Sequence, residues 1–320
     1  MKILFADKFQ SDYLEELQGR GHECDFQPDL SADDLPGQIA GAEVVIVRST
    51  RVTRSAIEAA DSLRLIIRAG AGTNTIDREA AAERNIPVCN VPGKNAVAVA
   101  ELAFGLILAI DRNIPDNVAD LRAGRWNKKH YSKAEGIMGR HLGIVGLGGI
   151  GLALAERAAA FGMHIHVVEK PGRDEATTAR LDALGAAHDR DLESLVGRCD
   201  VVSFHVPATP ETRGMINDEL LGRFRDGAML INTSRGEIVD ESALIRALEQ
   251  KGMRAGLDVF QDEPGAAEGS FDSPLASHPR VYGTHHIGAS TEQAQNAIAA
   301  EVVHMLDEFE RGNILHCVNL

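Results

Sequence analysis

The chain is poor in aromatic residues: Phe, Trp and Tyr make up 4% of its 320 residues, with a single Trp. Its cores must therefore be aliphatic, which suits parallel α/β sheets whose strands are covered on both faces. Cysteine is also scarce. Cys24, Cys89, Cys199 and Cys317 are the only four, and none lie at CxxC spacing. That excludes a dense disulfide framework; the four read as reduced thiols, and no metal site is expected. No apolar run approaches the length that spans a bilayer. The opening MKILFADKF is too short in its apolar part for a signal peptide and reads as a first strand. Basic charge is the last shortage: 33 Lys and Arg against 47 Asp and Glu give a net charge of -14. Such a surface repels nucleic-acid backbones and anionic lipid, so neither partner is expected, and the expected location is the cytoplasm.

What is present is a long α/β pattern. The length suits two domains, and 44% hydrophobic residues can fill a core in each. Strand-like runs at 2–6, 43–47, 65–68 and 86–88 alternate with helical patterns at 13–20, 54–60 and 78–84, a βαβ series that predicts a parallel sheet. Residues 95–110 read as a helix that is apolar all round and so buried, ended or bent at Pro115. A second series follows, with strands at 141–145, 164–168, 201–205, 228–231 and 254–257 and helices at 150–161, 218–223 and 241–250. A last strand after Pro279 and a helix at 292–310 close the chain.

The strand at 141–145 runs into Gly146-Leu147-Gly148-Gly149-Ile150-Gly151 and then a helix. Each glycine answers a physical demand. Gly146 allows the tight turn, Gly148 lets backbone approach a pyrophosphate, and Gly151 lets helix and strand pack closely. The free N–H groups at the helix start then face the phosphates. Glu169 ends the next strand, eighteen residues past Gly151. That is near the spacing expected for a carboxylate on the adenosine ribose, and it favours NAD over a 2′-phosphorylated cofactor. Lys170 and Arg173 follow and read as solvated charge that could soften this preference.

Three later segments carry candidate chemistry. Ile231-Asn232-Thr233-Ser234-Arg235-Gly236 places a cation past a buried strand, where strand ends of open α/β sheets meet ligands. Gly256–Pro264 offers Asp258, Asp262 and Glu263, and Thr284–Ser290 contains His285 and His286. Hydride exchange with a 2-oxo acid needs a cation to hold the carboxylate and polarise the carbonyl. It also needs a general acid to protonate the oxygen, a role that histidine fills near neutral pH. A carboxylate beside that histidine fixes its tautomer and favours its protonated form.

Together VRSTRVT, RAGAGTNTID, GLGGIG, NTSRG, GLDVFQDEP and HHIGAS resemble the D-2-hydroxyacid dehydrogenase family over nearly the whole chain, and most closely its 3-phosphoglycerate dehydrogenase branch. The resemblance implies two Rossmann-like doubly wound domains with a cleft between them. Residues 1–97 plus 287–320 would form a discontinuous substrate domain and 98–286 an inserted NAD-binding domain, with hinges near Val97 and His286. It implies that Arg235 binds substrate, that Glu263 pairs with the catalytic histidine, and that His286 is the acid/base. Cofactor contacts carry over to Gly149, Ile150, Glu169, His205, Val206, Pro207, Thr212, Thr233, Ser234, Arg235, Asp258, His286 and Gly288. The Ala71-Gly72 turn would hold a carboxylate through backbone N–H groups, and Asn95, with Lys94, would line the substrate pocket. Arg48 and Arg51 suggest a second anion such as phosphate. Two departures stand out: His285 where the family usually has Pro, and Ala71 where the branch often has Thr.

A 3-phosphoglycerate dehydrogenase-like oxidoreductase is the leading expectation. A reductase of glyoxylate, hydroxypyruvate or another short 2-oxo acid is the alternative within the class. An NAD(H)-sensing corepressor-like binding protein is the alternative outside it. The resemblance also implies a homodimer formed through the cofactor domain. Because the chain stops soon after its closing helix, feedback through a C-terminal regulatory domain is not expected.

Overall fold

Alternation along each strand decides which side chains meet which helix layer, and both sheets show it. In the computed structural model, which describes residues 1–264 and 268–320, the chain divides into two compact units, Met1–Asn95 with Ala289–Leu320, and Ala96–Gly288. Residues 287 and 288 go with the second unit because Asp258 holds both of their amides.

The first unit is built on a five-stranded parallel sheet. Its strands are β1 (Lys2–Phe5), β2 (Glu23–Phe26), β3 (Val44–Val47), β4 (Leu65–Arg68) and β5 (Val88–Asn90), in the order β2-β1-β3-β4-β5. Ile3, Phe5, Val44, Ile46, Leu65 and Ile67 share one face with Ile298, Val302 and Leu306 of the closing helix Glu292–Glu310. The alternate residues Leu4, Val45, Val47 and Ile66 share the other face with Ile57 and Ala81. Two parities and two buried layers follow from the period-2 geometry of strands. The closing helix starts at Thr291, whose hydroxyl caps Ala294 N at 3.2 Å.

The second unit carries seven parallel strands: β6 (His141–Val145), β7 (His164–Val168), β8 (Ala187–Asp189), β9 (Val201–Phe204), β10 (Met229–Asn232), β11 (Arg254–Leu257) and β12 (Val281–Gly283). Their order is β12-β11-β10-β9-β6-β7-β8. The order reverses between β6 and β9, and the crevice at such a switch point is where doubly wound sheets bind dinucleotides. The apolar helix Ala96–Arg112 lies over this sheet, with Phe104, Ile107 and Ile110 buried beside Ile144 and Ile231.

Three expectations need correction. β2 and β8 were not expected, because both are short edge strands with largely exposed side chains. Pro115 opens a helix, Ile114–Arg122, after Asn113 turns the chain in the left-handed region at φ 48°. Proline at the start of a helix costs no hydrogen bond, so it breaks nothing there. Arg173 is half-buried and donates to Val168 O at 2.7 Å, which ties it back to the end of β7 instead of leaving it solvated.

Candidate active site

The glycine turn after β6 is dictated by backbone crowding. A Cβ on Gly146, at φ +98°, would lie 2.4 Å from His205 O, and one on Gly151 would lie 2.1 Å from Gly146 O. Gly148, which precedes the helix Gly149–Ala160, has open space around it and supplies no side-chain cap. The amides of that helix start are therefore left to an anion. Ile150 is half-buried on the helix's first turn, and Glu169 is exposed at the end of β7.

Polar groups at the ends of β9 and β10 also wait for a partner. Thr233 Oγ1 and His205 Nδ1 are buried without one. His205 Nε2 meets Ser203 Oγ at 2.9 Å, and burial pushes this imidazole down to about 4, so it stays neutral. Thr212 Oγ1 donates to Pro207 O at 2.5 Å and accepts from Thr209 N; its hydroxyl thus braces the His205-Val206-Pro207 turn. A glycine cradle at the sheet's switch point together with orphaned polar atoms beside it fits a dinucleotide.

Arg235, Glu263 and His286 are brought to one locus in this unit. His286 Nδ1 meets Glu263 Oε2 at 2.6 Å, and Glu263 Oε1 accepts Phe260 N at 2.8 Å. Burial alone would raise the Glu263 carboxyl. The hydrogen bond from His286 and its charge when the ring is protonated, the Phe260 amide and the charge of Arg235 outweigh burial and hold it below the usual carboxylate range. His286 sits in the left-handed region at φ 51° with its ring half-exposed, a strained placement of the kind found at functional sites. His285 beside it is exposed.

Two buried residues that sequence reasoning did not single out as organisers shape this site. Asn232 Oδ1 accepts Ser234 N and Oγ, at 3.0 and 2.7 Å, while its Nδ2 donates to Arg235 O. It thus folds the turn that presents Arg235, whose own Nη1 donates to Ser234 O. Asp258 carries a second surprise. Its Oδ1 accepts Thr284 Oγ1 at 2.6 Å and Ile287 N at 2.9 Å, its Oδ2 accepts Gly288 N at 2.8 Å, and its carbonyl accepts His286 N. Both carboxylate oxygens are engaged in clamping the His286 loop. A Cβ on Gly288 would approach Asp258 Oδ2 to 3.0 Å, so the glycine lets the clamp close. A polar residue ending a buried strand was the available signal for both.

In the first unit, Asp7 Oδ2 accepts the amides of Arg48, Ser49 and Thr50 at 2.7, 3.0 and 2.9 Å. Arg48 Nη2 donates to Ser290 Oγ at 3.0 Å, and burial lowers its guanidinium despite the charge of Asp7. Arg51 is exposed. Asn90 Nδ2 donates to Ala71 O at 2.6 Å and so braces the Ala71-Gly72 turn. Lys94 pairs with Glu301 at 2.9 Å, next to the half-buried Asn95.

The chain is similar to known proteins. The model of the D-isomer specific 2-hydroxyacid dehydrogenase, NAD binding domain, matches residues 104–288. A D-3-phosphoglycerate dehydrogenase from Methanocaldococcus jannaschii is 39% identical over 98% of this chain. The chain spans only 57% to 59% of the length of the phosphoglycerate dehydrogenases it matches. A hydroxypyruvate reductase from Thermotoga maritima is 41% identical over 86% of this chain and 87% of its own. The crystal structure of a D-lactate dehydrogenase from Aquifex aeolicus, complexed with NAD and lactic acid, superposes with a TM-score of 0.82 at 27% identity. That match covers 98% of this chain and 96% of the other.

Proposed function

From the premise that this chain belongs to the D-isomer specific 2-hydroxyacid dehydrogenase family, we propose that it is an NAD-dependent oxidoreductase interconverting a 2-hydroxy acid and its 2-oxo acid. The observation that carries this reading is the His286–Glu263 contact at 2.6 Å, within the electrostatic reach of Arg235. An ionised carboxylate only accepts hydrogen bonds, so Nδ1 of His286 carries the proton and Nε2 of the neutral ring is a base. When bound, NAD supplies the hydride acceptor. His286 then takes the hydroxyl proton in oxidation and returns it to the carbonyl oxygen in reduction. Glu263 favours the charged ring that forms, and Arg235 holds the substrate carboxylate and polarises the carbonyl.

The cofactor roles of Gly146 to Gly151, Glu169, the His205-Val206-Pro207 turn, Thr233 and Ser234 belong to the same reading. Asp258 and Thr212 act in it by positioning. In the first unit we assign the substrate carboxylate to the Ala71-Gly72 turn and a phosphate to Arg48 and Arg51, with Asn95 alongside. A phosphorylated three-carbon acid is then the leading substrate. The second reading, reduction of unphosphorylated hydroxypyruvate or glyoxylate, is favoured by the 41% identity to a hydroxypyruvate reductase. A homodimer through the second unit has support in exposed apolar side chains, Ile114, Leu121 and the 81% exposed Trp126. Cytoplasmic location has support in the four free cysteines. Among the described residues no helix is long and apolar enough to cross a membrane.

The test is NADH oxidation with 3-phosphohydroxypyruvate, hydroxypyruvate and glyoxylate. Turnover is expected, fastest with the phosphorylated acid. Preference for the unphosphorylated acids selects the second reading. Tight NADH binding without turnover on any of them would make the protein a cofactor-sensing binder and overturn the proposal.

A further inference from the structure

Two of the four scarce cysteines lie side by side. Cys89 is in β5, and Cys317 pairs with it across an isolated antiparallel bridge. Asn90 N donates to His316 O at 3.3 Å and Val318 N donates to Val88 O at 2.9 Å. Those bonds flank the cysteines instead of joining them, so Cys89 and Cys317 form a non-hydrogen-bonded pair. In such pairs the Cα atoms are about 4.5 Å apart and the side chains point to the same side of the sheet. Disulfides need Cα atoms roughly 4.4–6.8 Å apart, so the backbone already meets the requirement without moving.

The surroundings grade the two thiols. Cys89 is 1% exposed, and burial with the neighbouring Cys317 pushes its thiol up to about 12. Cys317 is partly buried, more accessible than Cys89, and its Sγ donates to Asn319 Oδ1 at 3.4 Å. Asn319 is itself pinned: its Oδ1 accepts Val88 N at 2.7 Å and its Nδ2 donates to Ile86 O at 3.0 Å. An oxidant therefore reaches Cys317 first, and the resolving sulfur is already beside it. The other cysteines have no such neighbour. Cys24 is in β2, at the opposite edge of the same sheet and about 19 Å away at ordinary strand spacing, while Cys199 lies in the second unit.

We infer that Cys89 and Cys317 are an oxidation site that closes to a disulfide when the protein meets hydrogen peroxide. The peroxide oxidises the Cys317 thiol to a sulfenic acid and is reduced to water. The Cys89 sulfur then attacks the Cys317 sulfur, forming the S–S bond and releasing a second water, while a dithiol reductant returns both thiols. The link joins the two chain segments of the first unit. A long closed loop of this kind constrains the unfolded chain strongly. It also lies one residue from Asn90, which braces the Ala71 turn.

The test treats the full chain carrying Cys24→Ser and Cys199→Ser with hydrogen peroxide, alkylates the remaining thiols after unfolding, and weighs the intact protein. Both alkylation sites should disappear with the loss of two hydrogens. A Cys89–Cys317 peptide pair should appear on non-reducing digestion, and the thermal midpoint should rise by several degrees, all reversed by a dithiol reductant. Adding Cys317→Ser, at a partly buried position, should abolish the rise and leave Cys89 alkylatable. Retention of both thiols, or their conversion to sulfinic or sulfonic acids without a linked peptide, would overturn the inference.

Discussion

Asp7 and Asp258 act alike in different settings. Each stands just past a strand, β1 or β11, and each gathers three donors from a neighbouring loop. Asp7 holds three consecutive amides of the turn bearing Arg48 and is half-buried. Asp258 holds a hydroxyl and two amides around His286 and is 1% exposed. Water can replace Asp7 at its turn more readily than it can replace Asp258, whose bond to Gly288 N is buried. The loop bearing His286 is fixed by a buried carboxylate, and the turn bearing Arg48 by a half-buried one. On the proposed function, this suits tight positional demands at the reacting atoms and looser ones at a charged substrate group.

Removing Asp258 should break the comparison most severely. Asp258→Ala removes the acceptor of three donors, of which Gly288 N is buried and Thr284 Oγ1 and Ile287 N are part-buried, at an expected cost of ~3 kcal/mol in unfolding free energy. Turnover should fall with it because the His286 loop loses its anchor. Denaturant midpoints and kcat, measured on the same preparation, check both. If Asp258→Ala were as mild as the equivalent change at Asp7, burial would not be what separates the two.

Glu263→Gln sharpens the comparison within the second unit. Its carboxyl is held below the usual range in the fold, so its stabilisation is complete above the unfolded carboxyl's pKa and fades as pH falls through the lower folded value. The gap in stability between the native chain and Glu263→Gln should be ~1 kcal/mol at pH 7 and close in acid. Thermal melts across pH 3 to 7, where roughly this carboxyl range lies, read that trend; a gap that widened in acid would reverse the assigned direction.

Asp7→Ala should have the smallest effect, ~0.5 kcal/mol in stability, because water reaches its turn. Its signature is kinetic: a raised KM for a phosphorylated 2-oxo acid with kcat little changed, the pattern of lost uniform binding. An equal fall in kcat would place the Arg48 turn in the chemistry itself.

Much of this was legible in the sequence because it rests on patterns the chain must display. Strands covered on both faces have to be apolar, so β3, β4, β9 and β10 announce themselves. The crowding at Gly146 and Gly151 leaves no choice of residue, so the turn reads as a motif. Edge strands face no such demand, and β2 and β8 carry side chains that a loop could carry equally well. Clamps are harder to see, because Asp258 and Asn232 act on residues up to thirty positions away or fold back on their own turn. The pairing of Cys89 with Cys317 depends on a C-terminal segment returning to β5, a contact with no local signal at either end.

The central claim is that His286 moves the proton while Glu263 holds it in register. The direct measurement is kcat of His286→Asn with saturating NADH and the best 2-oxo acid, alongside its affinity for NADH. A fall of about 10²–10⁴-fold is expected, with NADH affinity retained. Turnover near that of the native chain would contradict the claim.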